Sequence, residues 1–234
     1  MQIRLFVNQP LAVGATVCLA ENQLHYLRNV LRAEPGAELF VFNGRDGEFA
    51  AVLSVLNKKE AQIQICRVLR GQPEKRDVRL YFAPLKRDRT ELVVEKATEL
   101  GVTKIVPVIT QYTSVKRVNV ERLRAVATEA CEQCRRLDVP EISEPVALAA
   151  LLNEQSADKP LLVHLDETGA GRKAGQVFDG LDKAAFLVGP EGGFSDSERA
   201  LIARTPHTAG LDLGERILRA ETAAVAALAL FMCR

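Results

Sequence analysis

From Val78 onward, short apolar runs alternate with longer helical stretches, and no other feature of this chain constrains its fold as much. The runs are "VRLYFAPL", "KIVPVI" (104–109), "PLLVHL" (160–165), Ala185–Val188 and "TAGLDL" (208–213). Helical patterns cover Arg89–Leu100, stopped by Gly101, then Val120–Arg136 and Glu221–Cys233. Buried strands separated by helices pair in parallel, so the pattern predicts an α/β domain on a mainly parallel sheet.

Residues 1–70 read differently. Strand-like segments at Gln2–Val7, Glu38–Asn43, Glu48–Val55 and Ala61–Val68 are divided by turn pairs such as Asn43-Gly44 and Asp46-Gly47. A single helical interruption, Glu21–Leu31, carries "HYLRNVLR" (25–32). The polar "RGQPEKRD" (70–77) reads as a linker closing a small barrel. The predicted division is therefore residues 1–71, a linker over 72–77 and an α/β domain over 78–234.

With 47% hydrophobic and 26% charged residues, the composition is that of an ordinary soluble protein. No secretory leader is expected, and the apolar Ala223–Cys233 is too short to span a bilayer. Five scattered cysteines point to a reducing, cytoplasmic setting rather than a disulfide framework. Cys131 and Cys134 read as two buried thiols on one helix; with no second pair or histidine nearby, no metal is expected. Residues 1–136 hold 22 Lys/Arg against 15 Asp/Glu, whereas residues 137–234 hold 9 against 15. The basic front could face a polyanion or simply be a solvated surface.

Parallel sheets bind ligands where strands end in glycine loops. "GAGRKA" (169–174) has the letters of a dinucleotide fingerprint but starts past its strand, and Gly175 and Gly180 should break the helix such a motif opens. It reads as a mobile surface loop. "LVGPEGGFSDSE" runs from a strand through Gly189-Pro190-Glu191-Gly192-Gly193 into a helix whose capping box is Ser195 and Glu198. It lacks the Gly-Lys-Ser/Thr of a phosphate loop, and Glu191 would repel a phosphate, so a neutral or cationic ligand fits better. "DLGERILRAETAA" (212–224) places Arg216 and Arg219 beyond a glycine turn. They could contact an anion or base edge, or pair with Glu215 and Glu221.

These two loops, with "HYLRNVLR", "LKRDRTELVVEKATELGV" (85–102) and "EACEQCRRLDVPEI" (129–142), closely resemble the RsmE-like 16S rRNA (uracil-N3)-methyltransferases of the SPOUT superfamily. The resemblance implies a PUA-like N-terminal β-barrel, a C-terminal SPOUT α/β domain with a trefoil knot, and a homodimer packed through that domain. It implies S-adenosylmethionine, a positively charged sulfonium beside which Glu191 is tolerable. It places cofactor contacts at Leu162, Val163, His164, Gly189, Pro190, Glu191, Gly192, Gly193, Leu213, Gly214, Arg216, Ile217 and Leu218.

For the reaction it points to Arg219, then Arg216, stabilising charge on the pyrimidine, with Glu221 or Glu191 as proton acceptor. The expected partner is 16S rRNA, within the small ribosomal subunit or its precursor. RNA docking is expected at Arg4, His25, Arg28 and Arg32, the last three on one helix face, and at Lys86, Arg89 and Arg136. Two positions depart from the family's pattern: Tyr112 stands where Arg is frequent, and Cys134 where Ser is common.

Overall fold

The computed structural model describes residues 3–115 and 117–234, the Arg87 side chain excepted. The chain forms two compact units, one comprising residues through Glu74 together with Cys131–Val139, the other Lys75–Ala130 with Pro140–Arg234.

In the first unit, strands β1 (Arg4–Phe6), β2 (Thr16–Cys18), β3 (Glu38–Phe42), β4 (Glu48–Leu56) and β5 (Ala61–Arg70) form one sheet in the order β1-β3-β4-β5-β2. The expected first strand began at Gln2, which lies outside the described residues. All pairs are antiparallel except β1 with β3. Alternate residues such as Leu39, Val41, Leu53, Ile63 and Ile65 point to one core, joined by Leu5 and Leu27.

The helix expected over Glu21–Leu31 is instead α1 (Glu21–His25) followed by a π-helical turn, Tyr26–Val30, closed by Leu31 N–H donating to Tyr26 O at 3.0 Å. Arg32 lies beyond it at φ 51°, so the shared helix face expected for positions 25, 28 and 32 does not form. His25, Arg28 and Arg32 are all exposed.

The second unit is a seven-stranded parallel sheet. Its strands are β6 (Val78–Phe82), β7 (Lys104–Ile109), β8 (Glu141–Ile142), β9 (Val146–Ala147), β10 (Leu161–Leu165), β11 (Ala184–Val188) and β12 (Thr208–Leu211). The order is β12-β10-β11-β6-β7-β8, with β9 also on β7. Helices α2 (Arg87–Glu99), α3 (Val120–Cys134), α4 (Leu148–Asn153), α5 (Ala174–Val177), α6 (Asp196–Arg204) and α7 (Ala220–Met232) connect or follow the strands.

The central strands read as continuous apolar runs because both faces are covered. Every residue of β11 is buried. On one face Phe178, Phe186 and Phe231 meet edge to face, with centroids 5.3–5.9 Å apart. On the other, Leu162, Ala185 and Leu187 pack on Phe194 and Ile202. Parallel register brings the C-terminal ends of β10, β11 and β12 side by side, so the loops leaving them converge.

Candidate functional site

These three loops enclose a cavity of about 490 Å³. Its walls are Leu165 at the end of β10 with Asp166–Gly169 beyond it, residues from Val188 at the end of β11 to Phe194, and Leu211 at the end of β12 with Leu213–Arg219 beyond it. Ala220 and Ala223 of α7 close it.

Nine of the expected cofactor contacts line it: Gly189, Pro190, Glu191, Gly193, Leu213, Gly214, Arg216, Ile217 and Leu218. Four do not. Leu162, Val163 and His164 stand inside β10, where Leu162 and Val163 are fully buried. Their place is taken by Leu165–Gly169, three residues later. The missed signal was "DETG" (166–169), in which Asp166 Oδ1 accepts from Thr168 N–H at 2.9 Å, forming an Asx turn. Gly192 is not among the lining residues and packs against Tyr112.

Local chemistry fixes each loop. The β11 loop runs into α6 through the expected capping box, with Ser195 N–H donating to Glu198 Oε2 at 2.9 Å and Glu198 N–H to Ser195 Oγ at 3.3 Å. Gly193 adopts φ 68°, and a Cβ there would collide with the Glu167 carboxylate. In the β12 loop Gly214 N–H donates to Asp212 Oδ1 at 2.7 Å. Lys173 and that amide hold the Asp212 carboxyl below the usual carboxylate range.

"GAGRKA" has a different use. Arg172 bridges Leu211 of β12, and a Cβ on Gly171 would press within 2.7 Å of Asp212 N. The segment is therefore paired to the sheet rather than a mobile loop, and Gly175 sits within the one-turn α5 instead of preventing it.

The cavity is electrostatically divided. Asp166, Glu167, Glu191 and Glu215 stand around it, and Arg216 and Arg219 enter from the β12 loop. Both arginines are exposed and have no partner among the described residues; neither pairs with Glu215 or Glu221. Glu221, in the first turn of α7, does not line the cavity. Its Oε1 lies 3.6 Å from Arg89 Nε, and its buried Oε2 has no hydrogen-bond partner among the described residues. Arg89 also reaches Glu191 at 3.6 Å, so it joins two carboxylates instead of forming an open basic floor. Burial pushes the His164 imidazole below its ordinary value.

Two other expected RNA contacts are committed elsewhere. Arg4 is buried: its Nε donates to Glu48 Oε1 at 2.8 Å and its Nη atoms to the carbonyls of Cys131, Glu132 and Arg136 at 2.9–3.3 Å. It caps the end of α3 and cannot face a ligand. Arg136 is held by Asp138 at 3.0 Å, with 10% of its side chain exposed. Lys86 is exposed at the start of α2. Of the two thiols expected to be buried, only Cys131 is. Burial pushes its thiol up to about 12, and it donates to Asp138 O, while Cys134 faces solvent on the last turn.

Comparison with known proteins bears on this geometry. The RNA methyltransferase domain family matches residues 72–232, and the RNA methyltransferase PUA domain matches residues 19–70. The chain belongs to the RNA methyltransferase family. A Rickettsia conorii member, the ribosomal RNA small subunit methyltransferase E, is 34% identical over 97% of this chain and 93% of that protein. A Legionella pneumophila methyltransferase solved with bound S-adenosylmethionine superposes with a TM-score of 0.91 and is 32% identical, covering 100% of this chain and 98% of that one. The Neisseria gonorrhoeae ribosomal RNA small subunit methyltransferase E, also bound to S-adenosylmethionine, gives 0.89 and 30%, covering 98% and 96%. The architecture is thus an N-terminal PUA-like domain and a C-terminal α/β methyltransferase domain. Among the described residues no helix is long and apolar enough to cross a membrane.

Proposed function

We propose that this methyltransferase uses S-adenosylmethionine to methylate N3 of a uridine in 16S rRNA of the small ribosomal subunit. One observation carries the reading: a cavity acidic along two loops and lined by two arginines on the third, both partnerless among the described residues. Carboxylates suit a sulfonium, whereas free guanidiniums suit a pyrimidine whose oxygens gain negative charge. The volume lies within the roughly 300–1,000 Å³ of small-molecule sites, and Val188, Leu213, Ile217 and Leu218 supply apolar cover for an adenine ring.

When bound, the cofactor supplies an electrophilic methyl group. The protein's part is alignment and charge. Uracil N3 carries a proton on its pairing edge, so the base is presented unpaired or flipped out. Arg219, seconded by Arg216, stabilises charge on O2 or O4 as N3 is deprotonated. Of the two candidate acceptors, Glu191 lines the cavity whereas Glu221 Oε2 is buried outside it. Glu191 is therefore placed to accept that proton, with Glu221 held behind it by Arg89. Gly189–Glu191, Gly193 and Leu213–Leu218, which line the cavity, would hold the cofactor.

We further propose a trefoil knot, a closed N-terminal barrel, a homodimer and a cytoplasmic setting. The strand order, with β11 between β10 and β6 and β12 outside β10, is compatible with a final crossover threaded through its neighbours' loops. The test is incubation with S-adenosylmethionine and small subunits lacking the modification, followed by mass mapping. A single methyl on a uracil base that blocks pairing is expected; a ribose methyl, or none, overturns the reading.

A further inference from the structure

Tyr112 is one of three tyrosines in a chain without tryptophan, and it is half exposed beside the cofactor loop. It sits at the tip of a turn that is unusually fixed. Thr110 and Thr113, both buried, share a hydroxyl–hydroxyl bond of 2.8 Å, and Thr110 N–H donates to Thr113 Oγ1 at 2.9 Å. Gln111 N–H donates to Glu198 Oε1 at 2.8 Å, tying the turn to the carboxylate that caps α6. Gly192 packs beneath the tyrosine: a Cβ there would lie 3.3 Å from Tyr112 Cβ and 3.7 Å from the ring. The ring is thus braced on the outer side of the loop whose inner side lines the cavity.

We infer that Tyr112 is a stacking platform for the base flanking the target uridine. A half-exposed ring on a locked turn loses little freedom when a base stacks on it, and any base offers a π face. Its place behind Gly192, outside the cavity, assigns it to a neighbouring base rather than the one receiving the methyl group. This inference rests on the RNA-methylating reading, but its first test does not require methyl transfer.

Tyr112→Trp introduces a unique fluorophore. Its indole emission should be quenched on titration with a uridine-containing single strand of the target sequence, and unchanged emission at saturating RNA overturns the inference. In steady-state methylation at subsaturating RNA, Tyr112→Ala should lower kcat/KM about tenfold through KM, Tyr112→Phe should stay within about twofold, and cofactor affinity should be unchanged in both. Wild-type kcat/KM in Tyr112→Ala contradicts the inference. So does a change of oligomeric state combined with indole emission indifferent to RNA, which would make the ring a subunit contact. Quenching in Tyr112→Trp, when the wild type transfers no methyl group, would support the platform while removing the proposed function.

Discussion

Arg4 and Arg219 are the same residue type used in opposite ways. In the first unit Arg4 is surrounded: a carboxylate, three backbone carbonyls and the Phe42 ring, 4.8 Å from its guanidinium carbon, consume its donors and its face. In the second unit Arg219 is the N-cap residue of α7 and makes no side-chain cap bond, and Arg216 is equally free among the described residues. Arg89 stands between these extremes, 37% exposed and 3.6 Å from each of two carboxylates. A guanidinium with every donor engaged holds structure; one left open beside a cavity awaits a ligand.

The largest effect tests the satisfied end. Arg4→Ala strips three helix-end carbonyls of their donor and leaves the buried Glu48 to Arg70 alone, which still donates at 2.7 Å. Breaking a buried pair costs about 3–5 kcal/mol, so urea unfolding should show a loss of that order while the folded fraction retains its turnover. A stable Arg4→Ala with impaired RNA binding would reverse the assignment.

Next in size is the open end. Arg219→Ala should slow methyl transfer by roughly a hundred- to a thousandfold, as expected when a donor to a developing anion is removed, and Arg216→Ala by about tenfold. Neither should move the unfolding midpoint measurably, and calorimetry should find cofactor affinity within a few-fold of wild type for Arg219→Ala. If Arg219→Ala destabilises the protein instead, the guanidinium has a partner that its open position conceals.

Arg89 separates the classes further. Its pairs are too exposed and too long to be worth more than about 1 kcal/mol, so Arg89→Met should barely change stability. It frees Glu191 and Glu221 together, however, and should slow methyl transfer about tenfold by loosening both. An Arg89→Met enzyme at full rate would mean the bridge holds neither carboxylate in a useful position.

How much of this can be read from the sequence follows from the range of the forces involved. The Ser195/Glu198 capping box spans four residues, and the central strands of the second unit are runs of apolar side chains; both are legible. Strands β8 and β9 have two residues each and carry no period to detect. Expecting cofactor contacts at Leu162 and Val163 puts the β10 loop three residues early, because apolar continuity there marks a strand covered on both sides. Arg4 is beyond reach altogether. Its partners lie 44 and 127 or more residues away, and nothing near it announces a buried ion pair. The π-helical turn is equally hidden, since "HYLRNVLR" suits an ordinary helix.

That turn sets the smallest prediction. His25, Arg28 and Arg32 are no longer aligned, so they offer separate point charges to RNA rather than one strip. Each phosphate neutralised releases counterions and adds to the slope of log affinity against log salt, by roughly 0.7 for a single strand. Arg28→Ala with Arg32→Ala should therefore flatten that slope by about one to two units in filter-binding titrations, leaving stability and cofactor affinity untouched. Arg136→Ala, its charge already spent on Asp138, should leave the slope as it is. If Arg136→Ala flattens the slope and the Arg28/Arg32 pair does not, a satisfied guanidinium is still free to bind RNA, and the distinction drawn between Arg4 and Arg219 loses its predictive force.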